Sequence, residues 1–139
     1  MPPHQYVMQR RLELSHQALQ LTTANLTEIT TNYGFSSSSH FSHRFKKHFG
    51  ADIVDGIGST EMLHIFLSNR PDDIRYGTTG KPVPGYEVEL RGEDGLPVAN
   101  DEVGDLYIKG PSAALMYWCN RDKTRDTFQG AWLKSGDKY

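Results

Sequence analysis

The residues whose types and spacing could do chemistry are concentrated in the segment DGIGSTEM. Ser59, Thr60 and Glu61 place two hydroxyls and a carboxylate directly after Gly56 and Gly58, and glycine lets a backbone approach a ligand closely. Such a set suits a phosphate group together with magnesium, which prefers oxygen ligands. A tight turn with a solvated glutamate is the alternative, and the spacing alone favours that alternative.

A second set of polar side chains lies on one face of a predicted helix in SSSSHFSHRFKKHFG. Short hydroxyls near its start could reach base edges, and the cations further along could reach the phosphates of double-stranded DNA. The helix would contact DNA through residues 36–50, and the candidate DNA-binding residues are Ser37, Ser38, His40, His43, Arg44 and Lys47. A small helical bundle with a solvated cationic face explains the same pattern.

The helices that would position this face follow from the apolar periodicity. Apolar residues over 6–21 recur mostly at gaps of three and four, which predicts a helix. A second helix is predicted over 26–34, where Gly34 supplies the positive φ that ends it. Ser36 is the expected N-cap of the third helix. The inward face of that third helix carries Phe41, Phe45 and Phe49.

Beyond residue 50 the sequence changes from helical to strand-and-turn in character, because glycine and proline become frequent. Alternating polarity predicts strands over 86–90 and 105–109, each bounded by turns. A short strand is also expected at Ile53, so the third helix should run almost directly into it. The run AALMYW is expected to be buried, and WLKSGD is expected to close in a Gly-Asp turn.

Charge and cysteine content limit the class of protein. Residues 1–50 carry a net charge of +3 and residues 51–139 a net charge of −5, which suggests two units over these ranges with different partners. No apolar run is long enough for a membrane helix, and the N-terminal stretch does not match a secretory signal. Cys119 is the only cysteine, so a reducing, cytoplasmic location is expected.

The first half of the chain resembles a known family of transcription regulators. LTEITTNYGFSSSSHFSHRFKKHFG resembles the second helix-turn-helix of arabinose-regulator (AraC) type factors, and VMQRRLELSHQAL resembles the long helix before it. The resemblance covers residues 3–50 and implies a DNA-binding function. Thr30 and Thr31 depart from it, because the family usually has small apolar residues there.

The second half resembles the adenylate-forming acyl-CoA ligase superfamily, most closely the benzoate- and hydroxybenzoate-CoA ligases. DGIGSTEMLHIFLSN looks like the loop before the central Thr-Glu motif, GDLYIKGPSAALMYW like the strand motif that follows, and SGDKY like the ribose-binding motif. The resemblance covers residues 49–139. It implies a two-step reaction in which a carboxylate attacks ATP to give an acyl-adenylate and pyrophosphate, and coenzyme A then displaces AMP.

This second resemblance also implies roles for individual residues, with ATP or AMP and magnesium as ligands. Thr60 would contact the α-phosphate, and Glu61 would help to hold Mg²⁺. Asp137 would bind the ribose hydroxyls, and His64 would lie near the carboxylate of the aryl substrate. The residues expected beside adenine are Asp55, Gly56 and Ile57.

Together these features predict an α+β chain with an N-terminal helix-turn-helix of about three helices, followed by a small β-barrel-like subdomain. The leading hypothesis is a natural or artificial fusion of a DNA-binding module with a catalytically incomplete aryl-CoA ligase fragment. The phosphate loop and the catalytic lysine of the resembled ligases have no counterpart in the sequence. We therefore assign no catalytic residue and expect no ATP–pyrophosphate exchange with benzoate.

Two alternatives to the fusion stay open. One is an ATP- or AMP-binding remnant of a benzoate-CoA ligase, and the other is a recombinant chimera with no evolved function. In every case the barrel would lack the subdomains against which it normally packs, so exposed apolar surface is expected. A homo-oligomer, with exchanged segments, is the expected way to cover that surface.

Overall fold

The computed structural model describes residues 1–99 and 102–139, which form two compact units. Unit 1 consists of residues 1–55 and 69–80, and unit 2 consists of residues 56–68 and 81–139. The sequence predicted a division after residue 50 into two continuous segments. In the structure a short excursion from the second half of the chain, residues 69–80, belongs with the helices of the first half.

Among the described residues of unit 1 there are three helices, α1 (Pro3–Leu21), α2 (Leu26–Asn32) and α3 (Ser38–Phe49). Proline at the first helical position starts α1 without losing a hydrogen bond. The glycines that follow α2 and α3, Gly34 and Gly50, have φ values of 74° and 71°, a left-handed conformation that glycine adopts without strain. All three predicted helices are present, and they end close to the predicted residues.

Local hydrogen bonds explain where α2 and α3 begin. Asn25 and Glu28 form a reciprocal capping box at the start of α2, with both hydrogen bonds at 2.9 Å. Ser37 caps α3 by accepting from the His40 backbone N–H at 3.0 Å. The predicted cap, Ser36, lies one residue too early.

The core of unit 1 is largely aromatic. Phe41 has no exposed surface, and its ring packs at 4.8 Å from Phe35 and 5.6 Å from Phe45, measured between centroids. The four-residue spacing of phenylalanines in α3 thus produces the buried face that it predicted. The remaining buried apolar residues of this core are Leu12, Ala18 and Ile29.

The helix α3 is followed by a segment without regular secondary structure rather than by the strand predicted at Ile53. Residues 51–55 have no regular secondary structure, and Ile53 packs against the helical core instead. The excursion 69–80 is held by Asn69, whose backbone N–H donates to the Asp55 carbonyl at 2.8 Å and whose side-chain amide donates to the Thr78 carbonyl at 2.6 Å. Tertiary contacts within unit 1 therefore override the local strand preference at this point.

In the described part of unit 2 the strands form two antiparallel sheets. The first contains β1 (Gly56–Gly58), β2 (Ile65–Ser68) and β3 (Lys81–Pro82), in that order. The second has the order β4-β5-β7-β6, and its strands are β4 (Glu87–Arg91), β5 (Asp105–Lys109), β6 (Phe128–Gln129) and β7 (Trp132–Lys138). A short helix, α4 (Arg121–Thr127), precedes β6.

These sheets confirm two predicted strands and correct the predicted barrel. β4 and β5 pair in register, with Val88 opposite Ile108, as the alternating polarity indicated. Among the described residues neither sheet closes on itself, because β4 and β6 remain edge strands and β1 and β3 bound the smaller sheet. The chain is thus a mixed α+β structure, but the second part is a pair of open sheets.

The core of unit 2 gathers side chains from both of its sheets and from the turn between β1 and β2. Its buried residues are Met62, Phe66, Leu67, Tyr86, Leu106, Ile108 and Leu133. The run 113–118, predicted to be buried, is largely exposed: Leu115 is 89% and Trp118 is 85% accessible. No helix in the described ranges is both long and apolar enough to cross a bilayer.

Candidate functional site

The strongest candidate site is an open pocket of 710 Å³ in unit 2. It is lined by the turn after β1, by the end of α4 and by β7. Two of the residues assigned by resemblance, Glu61 and Asp137, line it although they are far apart in the sequence. Other polar side chains that line it are Ser59, Tyr117, Lys123 and Ser135.

Glu61 is held in place by a tyrosine that the sequence reasoning missed. The Tyr117 hydroxyl donates to Glu61 Oε1 at 2.6 Å, and this hydrogen bond is the main reason why the pKa of Glu61 lies below its ordinary value. The Lys123 ammonium adds a smaller effect in the same direction, and it lies 4.2 Å from the centre of the Tyr117 ring. The carboxylate is therefore ionised at neutral pH.

An ionised carboxylate of this kind fits the expected magnesium ligand. Magnesium is normally held by one or two carboxylates, with water and substrate phosphate oxygens filling its other positions. Within the described chain no group of three or more histidines, cysteines or acids could enclose a metal ion. Glu61 could supply one oxygen ligand to such an ion.

Local hydrogen bonds determine the backbone positions of two neighbouring residues, Thr60 and Asp137. Thr60 is exposed in the turn after β1, where its carbonyl accepts from the Leu63 backbone N–H at 3.2 Å. Asp137 lies within β7 rather than in the predicted Gly-Asp turn. Its backbone N–H donates to Ser135 Oγ at 3.1 Å. The exposed carboxylate of Asp137 is thus presented from a strand, which is a firmer support than a loop.

The glycines of the predicted nucleotide loop have a structural explanation within unit 2. A Cβ on Gly56 would lie 2.7 Å from the Leu67 carbonyl oxygen, and one on Gly58 would lie 2.7 Å from the His64 carbonyl oxygen. Both glycines therefore allow β1 to approach β2 and the turn before it, whereas the sequence suggested that they allow a ligand to approach. Between them, Ile57 packs partly buried against the core of unit 2.

The last two residues assigned by resemblance are not among those that line the pocket. Asp55 belongs to unit 1, where its carbonyl accepts from Asn69. His64 is exposed just before β2 and contacts Tyr86. Tyr86 and Tyr117 carried no sequence signal for a site, because one began a predicted strand and the other fell in a run predicted to be buried.

Several side chains of the predicted DNA-binding face of α3 have partners within unit 1. Ser37 caps the helix, and His40 lies between Ser36 Oγ at 3.0 Å and Arg44 Nε at 3.3 Å. The His43 ring meets the edge of Tyr76, from the excursion 69–80, at 4.6 Å.

The other residues of the face have neighbours within unit 1 as well. Gly77, in the same excursion, approaches Ser39, which follows Ser38 at the start of α3. Arg44 and Lys47 line a cavity of 520 Å³ together with residues of α1. Ser37, His43, Arg44 and Lys47 nevertheless stay exposed, so these contacts orient the side chains without covering the face.

Comparison with known proteins identifies the family. The sequence profile described as AMP-binding enzyme matches residues 7–118. The benzoate–CoA ligase of Thauera aromatica is 56% identical over 110 residues, which are 78% of this chain and 21% of that protein.

Solved structures agree with this match. A benzoate CoA ligase from Burkholderia xenovorans LB400 superposes with a TM-score of 0.71 at 67% identity, over 73% of this chain and 21% of that one. The O-succinylbenzoate coenzyme A synthetase of Bacillus subtilis, in complex with ATP and magnesium, has a TM-score of 0.63 at 25% identity, over 70% and 21%. The chain spans about a fifth of the length of these relatives.

These findings overturn the leading hypothesis of a DNA-binding module fused to a ligase fragment. The matched range begins at residue 7 and includes α2, α3 and most of α1, so the helices are matched to the same family as the strands. The relatives named above are CoA ligases or synthetases, and none of these findings supports the arabinose-regulator resemblance. The chain belongs to the family of AMP-binding enzymes.

Proposed function

We propose that the chain supplies part of the nucleotide and aryl-acid site of an aryl-CoA ligase. The observation that carries the proposal is the shared pocket of Glu61 and Asp137, which brings together a candidate magnesium ligand and a candidate ribose ligand. The 56% identity to a benzoate–CoA ligase supports an aromatic carboxylate as the acid. The reaction would be adenylation of that acid by ATP, followed by transfer to coenzyme A.

Each residue would contribute a separate interaction. Asp137 would accept hydrogen bonds from the ribose hydroxyls, and the Thr60 hydroxyl would donate to the α-phosphate. Glu61, kept ionised by Tyr117, would hold magnesium against the phosphates. When bound, the metal ion would neutralise the negative charge that develops as pyrophosphate leaves. Adenine would lie beside Asp55, Gly56 and Ile57, and His64 would lie near the acid.

The proposal is tested by ligand-induced stabilisation of the full chain. ATP with magnesium should raise the unfolding free energy in a saturable way, by ~2.7 kcal/mol at a ligand concentration about 100 times Kd. Asp137→Ala should abolish the effect, because the ribose hydroxyls lose their acceptor. Glu93→Ala is the matched control, since it removes an equal charge from an exposed turn of unit 2 that does not line the pocket.

A second comparison separates the magnesium role from nucleotide binding. Glu61→Gln should lose the magnesium dependence of ATP binding but keep the binding of AMP, which has no β- and γ-phosphates to share a metal ion. Absence of saturable stabilisation of the wild-type chain by both nucleotides would contradict the proposal. Equal loss of AMP and ATP binding in Glu61→Gln would contradict the metal role alone.

A further inference from the structure

The cavity of 520 Å³ between α1 and α3 has no part in the proposed function. It belongs to unit 1, whereas the pocket of Glu61 and Asp137 belongs to unit 2. Its volume lies within the range of about 300–1,000 Å³ that is typical of sites for small molecules. The chemistry of its two walls therefore indicates what kind of small molecule it would accept.

The wall that comes from α1 has an apolar floor, formed by Met8 and Leu12. Together with His4 these residues recur every four positions, which places them on one face of the helix. Leu12 is 3% exposed, and Met8 packs half-buried against the core of unit 1. A methionine side chain is flexible and polarisable, so it adapts to apolar groups of different shapes. The floor suits the apolar part of a ligand.

The opposite wall comes from α3 and is cationic. Arg44, Lys47 and His48 are three and four residues apart, so they also share one face of their helix. All three are exposed. Arg44 donates from Nε to His40 Nε2 at 3.3 Å, and this contact leaves the donors of both Nη groups for another acceptor. The wall suits a negatively charged group with several oxygen atoms.

The acids nearest to this wall in the sequence are engaged elsewhere. Glu13, the only acid of α1, accepts hydrogen bonds at 2.9 and 2.6 Å from two side chains of its own helix, and it does not line the cavity. Asp52, which follows α3, pairs with Lys46 at 2.8 Å. Within residues 1–99 and 102–139 no carboxylate forms an ion pair with Arg44 or Lys47. These two cations can therefore pair with an external anion.

We propose that this cavity binds a small phosphate monoester that carries a short apolar tail. Near neutral pH such a phosphate has a charge of about −1.5 to −2, which matches the two cations Arg44 and Lys47. A guanidinium binds phosphate oxygens through its planar fork, and an ammonium binds them as a point charge. The tail would lie on Met8 and Leu12. The inference is independent of the proposed function, because it uses residues of unit 1 only.

The test is ¹H–¹³C NMR of the methionine methyl groups in the full chain, titrated with hexyl phosphate. The Met8 signal should shift in a saturable way. Met62, in the core of unit 2, and Met116, which is 57% exposed in unit 2, should not shift. Met116 thus reports any non-specific attraction of the alkyl chain to apolar surface. Inorganic phosphate should bind at least about tenfold more weakly, because it buries no apolar surface.

Substitutions in the cationic wall test the charge pairing. Arg44→Gln and Lys47→Gln should each weaken the binding of hexyl phosphate about two- to fivefold, as expected for the loss of one exposed ion pair. Arg75→Gln is the matched control and should leave Kd unchanged. Arg75 is an exposed cation of unit 1 that does not line the cavity.

The remaining outcomes would overturn the proposal. Absence of a saturable Met8 shift would show that the cavity takes no such ligand. Equal affinity for inorganic phosphate, or an equal loss of affinity in Arg75→Gln, would reduce the site to a solvated cationic surface. Hexanoate that binds as tightly as hexyl phosphate would contradict the preference for a phosphate. None of these results affects the proposed binding of ATP or AMP, which is argued from the pocket of unit 2.

Discussion

At the scale of single residues, tyrosine hydroxyls orient the ionisable side chains of the candidate site. Glu61 and His64 stand three residues apart in one turn, and each is oriented by a tyrosine from a distant part of the chain, Tyr117 and Tyr86 respectively. In both pairs the partner is an aromatic residue whose ring is packed and whose hydroxyl is directed at the functional group. Tyrosine suits this task because it joins a large apolar body to a polar end.

The pKa of Glu61 provides a test of the first pair. In Tyr117→Phe the pKa of Glu61 should rise towards its ordinary value of 4.5, because the hydrogen bond that chiefly lowers the pKa is removed. A ¹³C titration of the side-chain carboxyl group measures the midpoint directly. Tyr6→Phe, which removes an exposed hydroxyl on α1, is the control and should leave the midpoint unchanged.

The same substitution should alter the pH dependence of stability. A carboxyl group with a lowered pKa in the folded state stabilises the fold above its unfolded pKa, and this contribution disappears as the pH falls through the folded value. The difference in unfolding free energy between wild type and Tyr117→Phe should therefore be larger at pH 7 than below the lowered pKa of Glu61. A difference that stays constant across that pH range would argue against an ionised, hydrogen-bonded Glu61.

At the scale of elements, a short helix depends on the hydrogen bonds that cap its ends. The helix α2 (Leu26–Asn32) is short, yet it supplies Ile29 to the core of unit 1. An isolated helix of this length is unstable in water, so the capping box of Asn25 and Glu28 and the packing of Ile29 must hold it together.

The capping box predicts a graded effect on stability. Asn25→Ala should lower the unfolding free energy by about 1 kcal/mol, because the Glu28 backbone N–H loses its acceptor. Asn25→Asp keeps the acceptor oxygen and should restore most of the stability. Denaturant unfolding followed by circular dichroism measures both variants, and an Asn25→Ala chain as stable as wild type would show that the cap contributes nothing.

At the scale of the whole molecule, the chain spans about a fifth of its relatives and exposes apolar side chains. Leu115, Met116 and Trp118 are more than half accessible and lie close together in the sequence of unit 2. Large exposed apolar groups that cluster are typical of surfaces that contact another protein segment. Oligomerisation stays a prediction, and these three side chains form the surface through which we expect it.

Self-association through this surface should depend on concentration and on these side chains. Light scattering coupled to size-exclusion chromatography should give a mass that rises with protein concentration for the wild-type chain. The double substitution Leu115→Ser and Trp118→Ser should reduce that rise. Leu21→Ser is a matched control, since Leu21 is 82% exposed but belongs to unit 1. A wild-type mass that equals one chain at all concentrations would refute the prediction.

The sequence by itself determined the features that depend on neighbouring residues. The spacing of phenylalanines determined the buried face of α3, and Gly34 and Gly50 determined where α2 and α3 end. Alternating polarity identified β4 and β5, and the motifs from DGIGSTEM onwards indicated the ligase relatives. These signals are local, because helix periodicity, strand alternation and a positive φ act within a few residues.

Only the tertiary structure decided which side chains meet and which faces are covered. A cationic face on α3 has the same pattern whether it binds DNA or is the solvated face of a small helical bundle, and the pattern together with the arabinose-regulator resemblance led to the wrong function. An apolar run such as 113–118 has the same composition whether it is buried or exposed. The pairs Glu61–Tyr117 and His64–Tyr86 join residues separated by 56 and 22 positions. Long-range contacts of this kind arise only when strands and turns pack together, and local sequence preference carries no record of them.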